Sequence, residues 1–309
     1  MAIPSIGIIT GPTGVGKTEL ALSASEFLNA EIVNADSMQI YRYMDVGTAK
    51  PTVDERKRVP HHLIDVRDPD ETCDASTYRR MADEAIRRIL EKGKRALLVG
   101  GTGLYIKALL HGLFPVPPKS ATVRARLKDE ANRKGLDELH RRLLNVDPLA
   151  AQRIHPRDRV RIVRALEVYE TTKTPISRLQ AGHRFQESSY RVAYCVLSRP
   201  KPELYARIEN RTDQMLAEGL VEEVKKLKSM GYGADLKSMQ SIGYRHVARY
   251  LENEWSFEEA TRLLKRDTRR YAKRQLTWFQ SVDEARWFHP DDPKELLEHL
   301  MRFFEAEDG

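Results

Sequence analysis

Apolar residues in the first third of this chain follow two rhythms. Residues 6–10, 31–35, 62–66 and 96–99 are short, mostly apolar runs of the kind that fill buried parallel strands. Between them, 19–28 places Leu20, Ala21, Ala24, Phe27 and Leu28 at helical spacing, 75–92 repeats that period, and another helix starts at Leu104. Strands alternating with helices predict an α/β fold, a parallel sheet covered by helices on both faces. Residues 119–191 are helical throughout, over 123–134, 136–144, 148–153 and 157–171, with breaks at Gly135, Pro148 and Pro156. That segment opens after a Pro115-Val116-Pro117-Pro118 hinge and closes near a strand at 191–197. Helices at 203–230, 242–251, 257–280 and 296–304 complete the chain. The expected organisation is an α/β core from 1–118 and 192–309, with an all-helical domain inserted at 119–191.

The loop between the first strand and the first helix, Gly11-Pro12-Thr13-Gly14-Val15-Gly16-Lys17-Thr18, fills every fixed position of G-x-x-x-x-G-K-[ST]. Such a loop aims backbone N–H groups and the positive end of a helix dipole at an anion. Lys17 adds a mobile cation, and the Thr18 hydroxyl can ligate a magnesium ion. The core is thus a P-loop-type sheet that handles a polyphosphate. An ordinary ATPase or kinase holds magnesium with a carboxylate ending a second apolar strand. Here 96–99 runs into Gly100-Gly101-Thr102-Gly103 with no acid at its tip. The acid follows another strand: 31–35 ends in Asp36-Ser37-Met38-Gln39, which brings Asp36 to a strand's C-terminal edge, where open α/β sheets place their chemistry. A capping role in the next turn is the plainer alternative for Asp36.

Composition and charge narrow the class. With 309 residues, 41% of them hydrophobic, the chain can bury a substantial core. No apolar run approaches the roughly 18 residues that span a bilayer, and 1–9 lacks the basic start and cleavage site of a signal peptide. No membrane partner is expected. Cys73 and Cys195, far apart and without CxxC spacing, speak against a disulfide framework or a zinc site, so a reducing cytoplasm is the expected setting. His61-His62 reads as a strand entrance rather than a ligand pair.

The net charge of +7 sits entirely in the insert: 1–118, 119–191 and 192–309 carry 0, +8 and −1. Arg157, Arg159, Arg161 and Arg164 cluster there, and the spacing of Arg157, Arg161 and Arg164 predicts one helix face suited to tracking phosphates. A second basic run, Lys265, Arg266, Arg269, Arg270, Lys273 and Arg274, shares a helix with Leu263, Leu264, Tyr271, Leu276 and Trp278. Its charges suit an RNA backbone, and keeping a long helix solvated is the alternative.

In chain order, Gly11 to Thr18, Asp36-Ser37-Met38-Gln39-Ile40-Tyr41, Gly47-Thr48-Ala49-Lys50-Pro51, Gly100-Gly101-Thr102-Gly103-Leu104-Tyr105 and Arg164-Ala165-Leu166-Glu167-Val168 resemble the bacterial tRNA dimethylallyltransferase (tRNA isopentenyltransferase) family. Ser241-Ile242-Gly243-Tyr244 and 268–279 extend the resemblance over nearly the whole chain. It implies transfer of a dimethylallyl group from dimethylallyl diphosphate to the exocyclic N6 amine of the adenosine just 3′ of the tRNA anticodon, giving N6-isopentenyladenosine and diphosphate. The loop residues Gly11, Pro12, Thr13, Gly14, Val15, Gly16, Lys17 and Thr18 would hold the diphosphate, with Mg2+ through Thr18 and with Arg211 nearby.

In the same scheme Asp36 is the general base and Thr102 orients the attacking amine. Ser37, Met38 and Gln39 line the pocket for the unstacked base. Arg124 and the run Arg161-Ile162-Val163-Arg164 hold the anticodon stem-loop. Local sequence leaves Thr102 open as a cap for the helix from Leu104, and Arg211 open as a helix-surface charge. ATP has no role in this scheme, and a monomer is expected. The rival readings are a transferase acting on free adenine nucleotides, which lacks most of the insert, and a P-loop small-molecule kinase, which needs no basic insert. A non-enzymatic RNA-binding module would leave Lys17, Asp36 and Thr102 idle.

Overall fold

The computed structural model describes residues 3–113, 120–183 and 189–306. The chain divides into two compact units, Met1–Leu110 with Ser189–Gly309, and His111–Ser188. The proline hinge at 115–118 and the boundary at Lys119 lie outside the described residues.

The first half of the larger unit runs β1 (Ser5–Thr10), α1 (Lys17–Leu28), β2 (Ala30–Asn34), α2 (Val53–Arg58), β3 (His61–His62), α3 (Ala75–Glu91), β4 (Arg95–Gly100) and α4 (Gly103–His111). The smaller unit holds α5 (Ala121–Lys134), α6 (Leu136–Val146), α7 (Pro148–Arg153), α8 (Arg159–Thr172) and α9 (Ile176–His183). The chain then adds β5 (Arg191–Leu197), α10 (Lys201–Ala217), α11 (Leu220–Ser229), α12 (Tyr244–Leu251), α13 (Phe257–Phe279), β6 (Arg286–Phe288) and α14 (Pro293–Glu305).

The six strands form one parallel sheet in the order β3-β2-β4-β1-β5-β6. Every residue of β1 and β2 is buried, as strands covered on both faces require. Because all strands point the same way, their C-terminal tips share one edge, and β2, β4 and β1 are direct neighbours. That order sets the turn carrying Asp36, the Gly101–Thr102 turn and the phosphate loop side by side. Below them Ile9, Leu20, Leu28, Leu97, Leu197 and Phe288 share one core, each large side chain contributing about 1.5–3 kcal/mol on burial. A second cluster, including Ile40, Met44, Leu220, Met239 and Tyr244, packs the loops after β2 against α11 and α12. The smaller unit has its own core, built on Leu127, Leu139, Leu143, Ile162 and Leu166.

Several elements depart from the sequence reading. The strand read at 62–66 shrinks to His61–His62, because Leu63 and Asp65 adopt left-handed backbone, with φ of 64° and 56°, and turn the chain away. The helix read at 203–230 breaks at Gly219 into α10 and α11. The short elements α2, α9 and β6 were not anticipated, since none carries enough residues to show a period. Arg191, counted with the insert in the sequence, begins β5 and pairs with Ser5. Helix α8 starts at Arg159, where the Asp158 carboxylate accepts from the Arg161 N–H at 3.0 Å. Arg157 therefore lies outside the helix, and the three-arginine face does not form.

Candidate active site

The phosphate loop wraps the N-terminus of α1 with Gly14 and Gly16 at φ of 82° and 108°. The Lys17 ammonium folds back inside it, donating to the carbonyls of Gly11 at 3.0 Å and Pro12 at 2.9 Å. Burial lowers its pKa to about 8, a shift countered by Asp36 and reinforced by Arg211. Arginines brace the loop from outside: Arg199 Nε donates to the Val15 carbonyl at 3.0 Å, and Arg207 Nε to that of Gly14 at 3.1 Å. Arg199 also pairs with Glu203 and Asp291. Together with His289 these two acids are the one group among the described residues with metal-ligand proximity, and the guanidinium already supplies its positive charge.

Gln275, in the middle of α13, was missed by the sequence reading although it lies within the 268–279 segment. Its buried amide accepts from the Thr13 N–H at 2.9 Å and donates to the Gly101 carbonyl at 2.8 Å, tying the phosphate loop to the β4 tip. A polar residue on the core-facing side of a helix was the only signal.

Asp36 stands just past β2. Its Oδ1 accepts from the N–H groups of Met38 at 2.8 Å and Gln39 at 3.4 Å, so it does cap its own turn, and Oδ2 makes no hydrogen bond to a described residue. The Thr102 hydroxyl oxygen accepts from the Ser37 N–H at 3.0 Å. Thr102 thus bridges the β2 and β4 turns. Tyr271, assigned no role in the site from sequence, faces it; burial, then the charge of Asp36, raises its phenol above the ordinary range. Gln39 lines the phosphate-loop cavity rather than its apolar neighbour, and its side-chain amide donates to the carbonyls of Thr48 and Ala49, both at 3.2 Å.

Two cavities meet here. One of about 700 Å³ runs along the phosphate loop past Gly16, Lys17, Thr18, Lys50 and Arg207. The other, about 330 Å³, is lined by Ser37 and Met38 and by apolar groups including Ile208, Ile242 and Leu264. Thr13, Asp36, Thr48, Arg211, Met215 and Tyr271 belong to both walls. Arg211 is neither hydrogen-bonded nor ion-paired to a described residue; burial lowers its pKa and Asp36 counters that effect. A cation held at such a seam without a partner is poised for an anionic ligand.

The insert residues fall into two groups. Arg161 is 69% exposed and pairs with Asp158 at 3.4 Å. Arg124 and Arg164 instead converge on Glu167, whose side chain is 1% exposed, at 2.7 and 3.0 Å, and the Ser120 N–H donates to the same carboxylate at 2.8 Å. Burial raises the Glu167 pKa, and the hydrogen bonds from Arg124 and Arg164 more than reverse it. Ile162 and Val163 are buried in the insert's core, which leaves their side chains no surface to offer. On α13, Lys265 pairs with Asp213, Arg269 with Glu209, and Arg266 and Arg270 share Asp267 with Arg245, so three carboxylates offset part of the second basic run.

A phosphate loop, an uncapped carboxylate oxygen and an unpaired arginine around two joined cavities define a P-loop-type group transferase. The IPP transferase family model matches residues 39–282, and the chain belongs to that family. It is 51% identical to the tRNA dimethylallyltransferase of Syntrophobacter fumaroxidans over 96% of this chain and 86% of the relative. Among solved structures, the full-length tRNA isopentenylpyrophosphate transferase of Bacillus halodurans superposes with a TM-score of 0.72 at 38% identity, covering 99% of this chain and 98% of that one. A eukaryotic dimethylallyltransferase acting on tRNA superposes with a TM-score of 0.79 at 26% identity, over 93% and 74%. Prenyl transfer to tRNA is the activity of this family. No helix among the described residues is long and apolar enough to cross a membrane.

Proposed function

We propose that this chain transfers the dimethylallyl group of dimethylallyl diphosphate to N6 of the adenosine 3′-adjacent to the tRNA anticodon. The observation that carries this reading is the seam: Asp36 and Arg211 belong to the walls of both the phosphate-loop cavity and its more apolar neighbour. With the diphosphate on the loop, C1 of the dimethylallyl group reaches that seam, and the base enters from the apolar side, unstacked from its loop. N6 attacks C1 as the C1–O bond breaks, and the electron pair leaves with the diphosphate. The N6 proton passes to Asp36 Oδ2, the oxygen not engaged by the turn. Lys17, Arg211 and the loop N–H groups stabilise the charge that collects on the departing diphosphate. Thr102, held by the Ser37 N–H, orients the amine.

The Thr18 hydroxyl makes no hydrogen bond to a described residue and lines the cavity that also holds Lys17 and Asp36, which fits one oxygen ligand of Mg2+. When bound, that ion supplies further charge neutralisation to the diphosphate. Exposed Arg161 contacts the anticodon stem-loop from the insert, while Arg124 and Arg164 act there through the fold they hold. The protein works as a monomer in the cytoplasm. Incubation with labelled dimethylallyl diphosphate, offering tRNA and AMP in parallel, tests the reading: label in tRNA alone supports it. Label in AMP alone, or ATP consumed in proportion to product, would refute it.

A further inference from the structure

Glu223, in the first turn of α11, receives four hydrogen bonds that prenyl transfer does not by itself explain. Its Oε2 accepts from the backbone N–H groups of Asp45 and Val46, both at 2.8 Å, and its Oε1 from Gly47 N–H at 3.1 Å and the Tyr244 hydroxyl at 2.6 Å. Three consecutive N–H groups aimed at one carboxylate form an anion nest, filled here by a side chain. The contact is close as well as polar: a Cβ at Gly47 would stand 2.6 Å from the Tyr244 ring and 2.8 Å from Leu220, so only glycine fits. Glu223 thereby joins two stretches with no role in the mechanism above, Gly47-Thr48-Ala49-Lys50-Pro51 and Ser241-Ile242-Gly243-Tyr244.

The far side of the same loop is fixed equally. The buried Lys50 ammonium donates to the Tyr41 carbonyl at 2.8 Å and pairs with Asp45 at 2.5 Å and Asp65 at 2.7 Å. Gln39 holds the Thr48 and Ala49 carbonyls, and the Thr48 hydroxyl donates to the Met44 carbonyl at 2.7 Å. Thr48, so anchored, forms part of both cavity walls beside Asp36. The chain of bonds therefore runs from Glu223 through the 45–50 loop and Gln39 to the turn capped by Asp36.

Resting on the function proposed above, we propose that Glu223 is a positioning residue for the reaction: it sets the 45–50 loop so that the seam between the cavities keeps its width and Asp36 its aim. Glu223→Gln is nearly isosteric, yet its NH2 faces N–H donors in either orientation: toward Asp45 and Val46 it loses both bonds, and toward Gly47 and Tyr244 it loses the Gly47 bond, since only the Tyr244 hydroxyl can reverse and accept. Tyr244→Phe loses one bond and keeps the ring. Exposed Glu222→Gln is the control, since Glu222 makes only a 3.7 Å pair with Lys225.

Prenyl transfer to tRNA, inhibition by inorganic pyrophosphate and thermal unfolding are measured for each full-length variant. Glu223→Gln should lower kcat about 10- to 100-fold, the usual cost of a displacement near 1 Å at a reacting centre. Its pyrophosphate inhibition constant should match wild type, because no phosphate-loop hydrogen bond involves the 45–50 loop. Tyr244→Phe should lose about fivefold, the value of one hydrogen bond, and Glu222→Gln nothing. Wild-type kcat in Glu223→Gln would overturn the proposal, as would pyrophosphate binding and melting temperature falling in step with activity, which marks a merely structural role. If Glu223→Gln does not fold, Tyr244→Phe decides alone, with wild-type kcat overturning the proposal. A wild-type protein that prenylates no tRNA would refute the functional reading instead.

Discussion

Arg161 and Arg164 lie three residues apart on α8, and the structure gives them opposite environments, so alanine at each should act in a different way. Arg161 is 69% exposed and pairs with Asp158 at 3.4 Å, an exposed ion pair of the kind that contributes about 0–1 kcal/mol. Its removal should leave folding stability within about 0.5 kcal/mol of wild type. If it contacts an RNA phosphate, the slope of log affinity against log salt should flatten by roughly 0.7 to 0.9.

Arg164 pairs at 3.0 Å with Glu167, whose side chain is 1% exposed and which keeps, among the described residues, Arg124 and the Ser120 N–H once Arg164 is gone. Leaving a buried carboxylate short of one charged donor costs about 1–3 kcal/mol. Arg164→Ala should therefore destabilise the smaller unit by that amount and weaken tRNA binding through the fold, with little direct change in slope. The assay is filter binding of tRNA across a salt series for each full-length variant, beside amide hydrogen exchange over α5 and α8. Wild-type exchange in Arg164→Ala together with a slope loss near 0.8 would refute the assignment of Arg164 to Glu167. An unchanged slope in Arg161→Ala would return Arg161 to plain solvated surface.

Asp36→Ala should lower the single-turnover rate about 10²- to 10⁴-fold with tRNA affinity nearly unchanged; lost tRNA binding at a normal rate would reject its role as base. Lys17 sits at about 8 in the free protein, so its charge is lost as pH rises through that value, and pyrophosphate affinity should fall above pH 8. Lys17→Ala should bind pyrophosphate weakly and without that pH step. Gln275→Ala leaves the Thr13 N–H and the Gly101 carbonyl without their partner, about 1–3 kcal/mol for each buried group, and should raise the pyrophosphate inhibition constant along with lowering kcat. An inhibition constant equal to wild type would show that the loop does not need this tie. His246, buried against Asp267 at 3.3 Å, has its pKa lowered to about 4, chiefly by burial and against the pull of Asp267. The unfolded chain takes up that proton near 6.5, so folding stability should drop as pH falls from 6.5 to 4. Urea unfolding at stepped pH checks this, and a flat profile over that interval would contradict it.

The sequence alone determined what depends on neighbours a few residues away. The phosphate loop is legible because closing a strand onto a helix around an anion needs glycines, Lys17 and Thr18 at fixed spacing, whatever the rest of the chain does. The apolar runs of β1, β2 and β4 are legible because parallel strands are buried on both faces, and the same pattern put Asp36 past the end of β2. A two-residue β3 and the break at Gly219 were not, since left-handed backbone at Leu63, Asp65 and Gly219 leaves little trace in hydrophobic periodicity.

Only the tertiary structure decided which groups meet. The strand order brings the tips of β2, β4 and β1 together, and sequence fixes strands without fixing their order. Gln275 reaches the phosphate loop from 262 residues away and Glu223 reaches the 45–47 turn from 178, and neither partnership leaves a local mark. The arginines show the physical reason most directly. In sequence Arg161 and Arg164 are equivalent charges, but one faces water and the other a buried carboxylate, and the energy of a charge is set by the dielectric and the partner that folding gives it.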